Sequence, residues 1–121
     1  MTDKINEKIR EIALDRKRCN AYLLKHCQVF KDYLKMGETA LAAGKISKKN
    51  KELIAIAISV INNCESCMDW HIQAAFQAGA DEQEIVEAVG LAIYMGVGPV
   101  SVNSRFAVRM IEHYRPQNAK S

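Results

Sequence analysis

The sequence has few of the residues that build strands, tight turns and base-stacking surfaces. Aromatic residues make up 7% of the 121 positions, and there are only two prolines and six glycines. Alternating runs of Val, Thr and Tyr, which are typical of half-buried strands, are missing. Ala, Ile, Leu, Lys and Glu are abundant instead, so the composition predicts an all-α fold.

A strong charge of one sign is also missing. The formal net charge is +3, and the basic residues concentrate in the N-terminal part without interleaved aromatic residues. Such a pattern is typical of lysines on the solvated faces of helices. We therefore expect no nucleic-acid partner.

No long apolar segment or targeting signal is evident. The start, Met1-Thr2-Asp3-Lys4, is polar, and the longest largely apolar run, 53–61, has nine residues, whereas a membrane span needs about 20. We expect a cytoplasmic protein with no membrane partner. The length suits a single domain over residues 1–121, and the four cysteines should be reduced at rest.

Apolar spacing and capping residues predict about six helices. The first is expected over about residues 4–18. The second pattern runs through 22–41 and ends at Gly44, with Gly37 as a potential break. Ser47 begins a third helix, whose segment 53–61 is apolar all round and should be buried on every face.

The C-terminal half is predicted to contain three more helices. Asn62 and Asn63 are expected to cap a helix that closes at Gly79. Asp81-Glu82-Gln83-Glu84 has the form of a capping box and opens a helix over 85–97. A small-residue break at 96–99 precedes the last helix, 99–114, and a polar tail starting near residue 115.

Two of these helices are apolar nearly all round. Their apolar surface is larger than a single chain of this length can cover. We therefore expect a homo-oligomer that buries the excess. The alternative is that alanine-rich faces pack closely within one bundle.

The rarest feature is Cys64-Glu65-Ser66-Cys67, a CxxC whose second cysteine precedes His71 by four residues. On a helix Cys64 and Cys67 lie about 60° apart, and Cys67 and His71 about 40° apart. The two thiols can therefore close a disulfide at the first turn. This arrangement suits thiol–disulfide exchange, because a helix start and a nearby imidazole both favour the thiolate.

The spacing does not by itself decide which cysteine attacks. Cys64 is nearer the helix start, whereas Cys67 is four residues from His71. A helix dipole is typically worth less than about 1 kcal/mol, and proton transfer can be worth roughly 10²-fold. We favour Cys67 as nucleophile and Cys64 as its resolving partner.

Other uses of the cysteines also need consideration. Cys64, Cys67 and His71 could hold zinc with a fourth ligand from elsewhere, but structural zinc sites usually have a second ligand pair downstream, and none follows here. We therefore assign no metal ligands. Cys19 and Cys27, about 12 Å apart along one predicted helix, are too distant to pair and are interpreted as small buried residues.

One pattern in the sequence resembles the active-site pattern of the alkylhydroperoxidase D-like branch of the carboxymuconolactone decarboxylase superfamily. It consists of Glu52, eleven intervening residues and then Cys64-x-x-Cys67-x-x-x-His71. The similarity covers about residues 35–113, preceded by N-terminal helices over 1–34, and includes the segment 78–85. It implies an all-α fold that assembles as homotrimers or homohexamers.

The resemblance also implies roles. Cys67 corresponds to the cysteine that attacks peroxide or disulfide, and Cys64 to the proton donor and resolving thiol. Glu52 and His71 correspond to a proton relay, although Glu52 alone would be interpreted as a helix-dipole partner. One departure is Ser66, where the best-known peroxidase members have a second histidine, which weakens the expectation of strong peroxide reduction.

The sequence therefore predicts a thiol–disulfide oxidoreductase that needs no bound cofactor. Its reductant is expected to be an external dithiol on a lipoyl or thioredoxin-like protein, and its substrate a hydroperoxide or an oxidised protein such as a peroxiredoxin. The alternatives are a carboxymuconolactone-type decarboxylase on the same fold and a non-catalytic zinc-binding or redox-sensing helical protein.

Overall fold

The computed structural model describes residues 2–116, and every regular element within that range is a helix. In chain order they are α1 (Thr2–His26), α2 (Gln28–Leu41), α3 (Lys48–Ile61), α4 (Glu65–Gln77) and α5 (Glu82–Tyr114). The predicted all-α fold is confirmed. Most of the expected C-terminal tail, residues 117–121, lies outside the described range.

The two N-terminal helices divide at a different place from the one predicted. Helix α1 continues past residue 18 to His26, so the expected 4–18 segment is too short. The backbone of Cys27 is extended (φ −133°, ψ 108°) and separates α1 from α2. Neither Gly nor Pro occurs at this break, so the sequence does not reveal it. Gly37 lies inside α2 without interrupting it, and α2 ends at Leu41 rather than Gly44.

Helix α3 begins where the sequence predicts, because the Ser47 hydroxyl accepts a hydrogen bond from the backbone N–H of Asn50 at 3.1 Å. The expectation that the apolar run 53–61 is buried on every face is wrong within one chain. Ile56 is fully buried, but Ile54 and Ile58 are half exposed. The reason is that α4 and α5, which pack against α3, cover only part of its surface.

Helix α5 confirms both the predicted capping box and the predicted break. Asp81 accepts from the backbone N–H of Glu84 at 2.8 Å, and Glu84 accepts from that of Asp81 at 3.0 Å. Val97 has non-helical torsions (φ 56°, ψ −133°), so α5 consists of two helical segments that meet at a kink. Counted this way, the two segments account for the sixth predicted helix.

The core lies between α3, α4 and α5, with Ile9 as the contribution of α1 and no buried residue from α2. Its largest fully buried apolar side chains are Ile9, Ile56, Met68, Ile72, Ile85, Met110 and Val60. Cys19 is exposed and Cys27 half-buried, so the predicted burial of Cys19 is wrong.

Helix α5 is long and apolar enough, judged by length and composition, to cross a membrane. It has 33 residues, and its most apolar window has a mean hydropathy of 1.7, although only 22% of that window is buried in the chain. The sequence does not predict this long helix, because the break at 96–99 divides the segment into two predicted helices. One such helix is weak evidence for a span, because the core helix of a soluble protein passes the same test.

Candidate active site

The turn between α3 and α4 places the CxxC segment against the end of α3. Asn62 is the last-turn cap of α3, and Asn63 adopts a left-handed conformation with φ 52°. The backbone N–H of Cys64 then donates to the carbonyl of Ser59 at 3.0 Å. The prediction that Asn62 and Asn63 cap α4 is wrong, because Cys64 itself occupies the N-cap position.

Cys64 and Cys67 are joined by a disulfide, with their Cα atoms 5.2 Å apart. The sulfur of Cys64 also accepts a hydrogen bond from the backbone N–H of Cys67 at 3.3 Å. Both sulfurs therefore lie in the first turn of α4, where unpaired N–H groups and the helix dipole favour negative charge. His71 follows one turn further along α4 and is partly exposed.

A buried carboxylate on α3 contacts this histidine. The Oε1 atom of Glu52 lies 2.7 Å from Nδ1 of His71, and only 1% of the Glu52 side chain is exposed. Its Oε2 atom accepts from Lys48 Nζ at 3.0 Å. With Glu52 ionised, Nδ1 of His71 must hold the proton and donate it, which leaves Nε2 as the basic nitrogen. The structure thus brings together Glu52 and the CxxC–His segment.

A second buried carboxylate, Asp69, lies on α4 just after the CxxC. It is fully buried, and it accepts from Arg16 Nη1 at 2.8 Å and from the hydroxyl of Tyr114 at 2.5 Å. Burial, followed by the hydrogen bond to Asp69, raises the pKa of Tyr114 well above its ordinary value. Asp69 therefore connects α1, α4 and the end of α5.

Sequence reasoning did not find Arg16, Tyr114 or Lys48 as neighbours of the site. Lys48 could have been found from its i,i+4 spacing to Glu52, which is a local signal. Arg16 and Tyr114 are 53 and 45 positions from Asp69, and no local pattern reports such contacts.

No described residues form a ligand set for the zinc-binding alternative. Among residues 2–116, there is no group of three His, Cys, Asp or Glu side chains placed to hold a metal ion. His26 stacks on Tyr22 with ring centroids 4.6 Å apart, and His113 Nδ1 lies 3.0 Å from the side-chain oxygen of Asn6. The remaining two histidines therefore have contacts away from the CxxC.

A cavity of about 330 Å³ lies beside the α3–α4 turn, between α1 and the C-terminal segment of α5. Its lining includes Ile5, Asn63, Glu65, Phe106 and Arg109, but neither cysteine nor His71. The disulfide is therefore not at the floor of this cavity.

The chain matches known proteins in both sequence and structure. The model of the carboxymuconolactone decarboxylase family matches residues 28–109. A carboxymuconolactone decarboxylase family protein from Legionella pneumophila, solved in its apo form, superposes with a TM-score of 0.86 at 29% identity, covering 91% of this chain and 99% of that one. Another family protein, from Thermotoga maritima, gives 0.81 at 26% identity, covering 92% and 97%.

A curated relative, the alkyl hydroperoxide reductase AhpD of an Anaeromyxobacter strain, is 38% identical over 56 residues. The match covers 46% of this chain and 30% of that relative, so the chain spans less than a third of the relative's length.

Proposed function

Since the chain belongs to the carboxymuconolactone decarboxylase family and resembles its alkylhydroperoxidase D-like members, we propose that it is a thiol–disulfide oxidoreductase. The observation that supports this most directly is the Cys64–Cys67 disulfide at the start of α4, one turn before a histidine held by a buried carboxylate. A nucleophile, a base and a group that orients the base are the elements that thiol chemistry requires.

The proposed cycle begins with Cys67 as thiolate. With a hydroperoxide, its sulfur attacks an oxygen, the O–O bond breaks, and an alcohol leaves with one proton while Cys67 becomes a sulfenic acid. Cys64 then attacks the Cys67 sulfur, the S–O bond breaks and water leaves. With a disulfide substrate, Cys67 attacks one sulfur, the S–S bond of the substrate breaks, and the other sulfur leaves as a thiol. Cys64 then attacks the Cys67 sulfur of the mixed disulfide, and the second substrate sulfur leaves as a thiol.

Both routes end with the Cys64–Cys67 disulfide, the state seen here, and an external dithiol restores the two thiols by two exchange steps. We assign proton handling to Nε2 of His71, with Glu52 orienting the ring through Nδ1. The reductant would be a dithiol on a lipoyl or thioredoxin-like protein, and an oxidised peroxiredoxin is a candidate substrate. These assignments need no bound cofactor.

The exposed apolar surface supports self-association, and the resemblance to the family suggests a homotrimer or homohexamer. Large apolar side chains at least 40% exposed include Ile54, Ile58 and Ile61 on α3 and Leu91, Tyr94, Met95, Val97 and Val102 on α5. Sedimentation at several protein concentrations tests this proposal, and a monomer at all of them would contradict it.

Turnover of a small disulfide or cumene hydroperoxide, with an external dithiol as reductant, tests the proposed activity. We expect C67S to abolish turnover, and the wild type to lose two thiols per chain on mild oxidation without an intermolecular link. C19S/C27S serves as the control and should retain activity. Full turnover by C67S would refute the assignment.

The family description also raises decarboxylation as a second candidate. A decarboxylase does not need the two thiols, so C64S/C67S separates the alternatives. Lactone decarboxylation that is unchanged in this double variant would favour the second candidate.

A further inference from the structure

Helix α1 places two cations against the two carboxylates of the CxxC segment. Lys8 Nζ lies 3.2 Å from Glu65, and Arg16 Nη1 lies 2.8 Å from Asp69. Glu65 follows Cys64 directly, and Asp69 is two residues after Cys67. Negative charge near a thiol disfavours the thiolate, so each cation offsets a charge that would oppose the proposed chemistry.

The Arg16 pair has the larger influence, because it is shielded from water. Asp69 is fully buried and the Arg16 side chain is 18% exposed, whereas Lys8 and Glu65 are 50% and 39% exposed. Charges in such partly buried pairs are screened much less than those at the surface.

Arg16 also contacts the backbone between the two cysteines. Its Nη1 atom lies 3.4 Å from both the carbonyl oxygen and the hydroxyl of Ser66, and its guanidinium is 5.1 Å from the Trp70 ring centroid. The match to the family model begins at residue 28, so α1 and Arg16 lie outside the segment by which the family is defined.

We propose that Arg16 is a positioning residue that sets the reactivity of the CxxC thiols, by neutralising Asp69 and holding Ser66. This inference rests on the proposed thiol chemistry and extends it to α1. Arg16 does not touch the reacting sulfurs. It acts through the charge of Asp69 and the position of Ser66.

Other charged or titratable groups surround the same turn and must remain unchanged in the test. Helix α4 contributes Glu65 and His71, α3 contributes Glu52 and Lys48, and α1 contributes Lys8. Helix α5 contributes Tyr114, and Arg105 and Arg109 line the cavity beside Glu65.

The experiment measures the rate of iodoacetamide alkylation of the reduced full chain against pH, in a C19S/C27S background. An ordinary thiol has its midpoint near pH 8.5. We expect R16Q to raise the lower of the two midpoints by roughly 0.5 to 1 pH unit, because the charge of Asp69 is then uncompensated. R16K keeps the charge and should shift the midpoint by less than half as much.

D69N gives the opposite prediction. Its amide oxygen can still accept from Arg16 and its NH₂ group can donate to the Tyr114 hydroxyl, but the negative charge is gone. The midpoint should therefore fall, and R16Q/D69N should return close to the wild-type value. R18Q is the matched control. Among residues 2–116 Arg18 forms an ion pair with Asp15 of the same helix alone, so R18Q should leave the midpoint unchanged.

Opposite shifts in R16Q and D69N support the inference. If R16Q alone fails to fold, a midpoint in D69N that lies below the midpoint of R16Q/D69N supports it, because those two variants differ only at residue 16. Shifts of the same sign, or no shift in either variant, overturn it. The proposed function is tested separately: it fails if the wild type shows no dithiol-dependent turnover. The alkylation midpoints do not depend on turnover, so they test the role of Arg16 in either case.

Discussion

The Oε1 atom of Glu52 lies 2.7 Å from Nδ1 of His71, although the two residues are 19 positions apart and belong to different helices. Glu52 is almost fully buried, and Lys48 contacts its other oxygen. The contact fixes which imidazole nitrogen faces the carboxylate, and it places a charge-compensated acid–base pair one helical turn from Cys67.

This relationship predicts the effect of E52Q. A neutral amide no longer stabilises the imidazolium, and it fixes the tautomer of His71 less strictly. Turnover of a disulfide substrate should therefore fall by roughly 10²-fold. The measurement is kcat against pH for E52Q and for E87Q, a matched change at exposed Glu87 on α5, which should be unaffected. An unchanged kcat in E52Q would exclude the relay.

Tyr114 should stabilise the fold through Asp69. Y114F removes a hydrogen bond to a buried carboxylate, and we expect a loss of about 1.5 to 3 kcal/mol in the free energy of unfolding, measured in urea. Y33F is the control, because Tyr33 on α2 is 58% exposed, and it should change stability by less than about 0.5 kcal/mol.

Tyr114 also predicts that the stability of the fold depends on pH in the alkaline range. Burial raises the pKa of Tyr114 in the folded state, so its neutral form is favoured there. This contribution is fully present below the ordinary tyrosine pKa of about 10, and it is lost as the pH rises above that value. Y114F should therefore lose less stability than the wild type between pH 9 and 11. If the stability of Y114F and of the wild type fell equally between pH 9 and 11, the raised pKa of Tyr114 would be contradicted.

Glu84 predicts that the stability of the fold depends on pH in the acid range, where stability is lost as the pH falls. Hydrogen bonds from Lys49 and from the backbone of Asp81 lower the pKa of Glu84 in the folded state. Its contribution is present above the ordinary glutamate pKa and is lost as the pH falls below that value. The urea midpoint of E84Q should fall less than that of the wild type between pH 6 and 3.5. E38Q, a change on α2, should follow the wild type.

The kink in α5 predicts that a glycine is favourable at one position and unfavourable at another. Val97 has torsions that a β-branched residue adopts only under strain, and it is 70% exposed within one chain, so V97G should stabilise the isolated monomer by about 1 kcal/mol. V86G, within the regular part of α5, should cost about 1 kcal/mol. The free energy of unfolding of both variants is measured in urea. A change of the same sign in V97G and V86G would contradict the strain at Val97.

Gly96 next to the kink should not tolerate a side chain. A Cβ atom at this position would meet the Cβ of Val100 at 2.9 Å and come closer still to its Cγ2. We expect G96A to destabilise by about 1 to 3 kcal/mol in the same measurement. G37A is the control, because Gly37 lies inside α2 and a Cβ built there meets no atom within 4 Å apart from its chain neighbours and its own helix backbone.

Local features of the fold could be predicted because they depend on neighbours in the chain. The Asp81–Glu84 capping box and the Ser47 cap involve residues three apart, and the break at 96–99 follows from its glycines and Pro99. The boundary at Cys27 could not be predicted, because no helix-breaking residue occurs there. The burial of 53–61 was overestimated because periodicity reports which faces are apolar, not which neighbours cover them.

The sequence by itself determined that the chain is helical and that two cysteines and a histidine share the first turns of one helix. Those properties follow from side chains three or four residues apart, which a helix brings together by its own geometry. Only the tertiary structure decided that Arg16 and Tyr114 meet at Asp69. Such contacts join helices that are distant in the chain, and they depend on how the helices pack rather than on any local pattern.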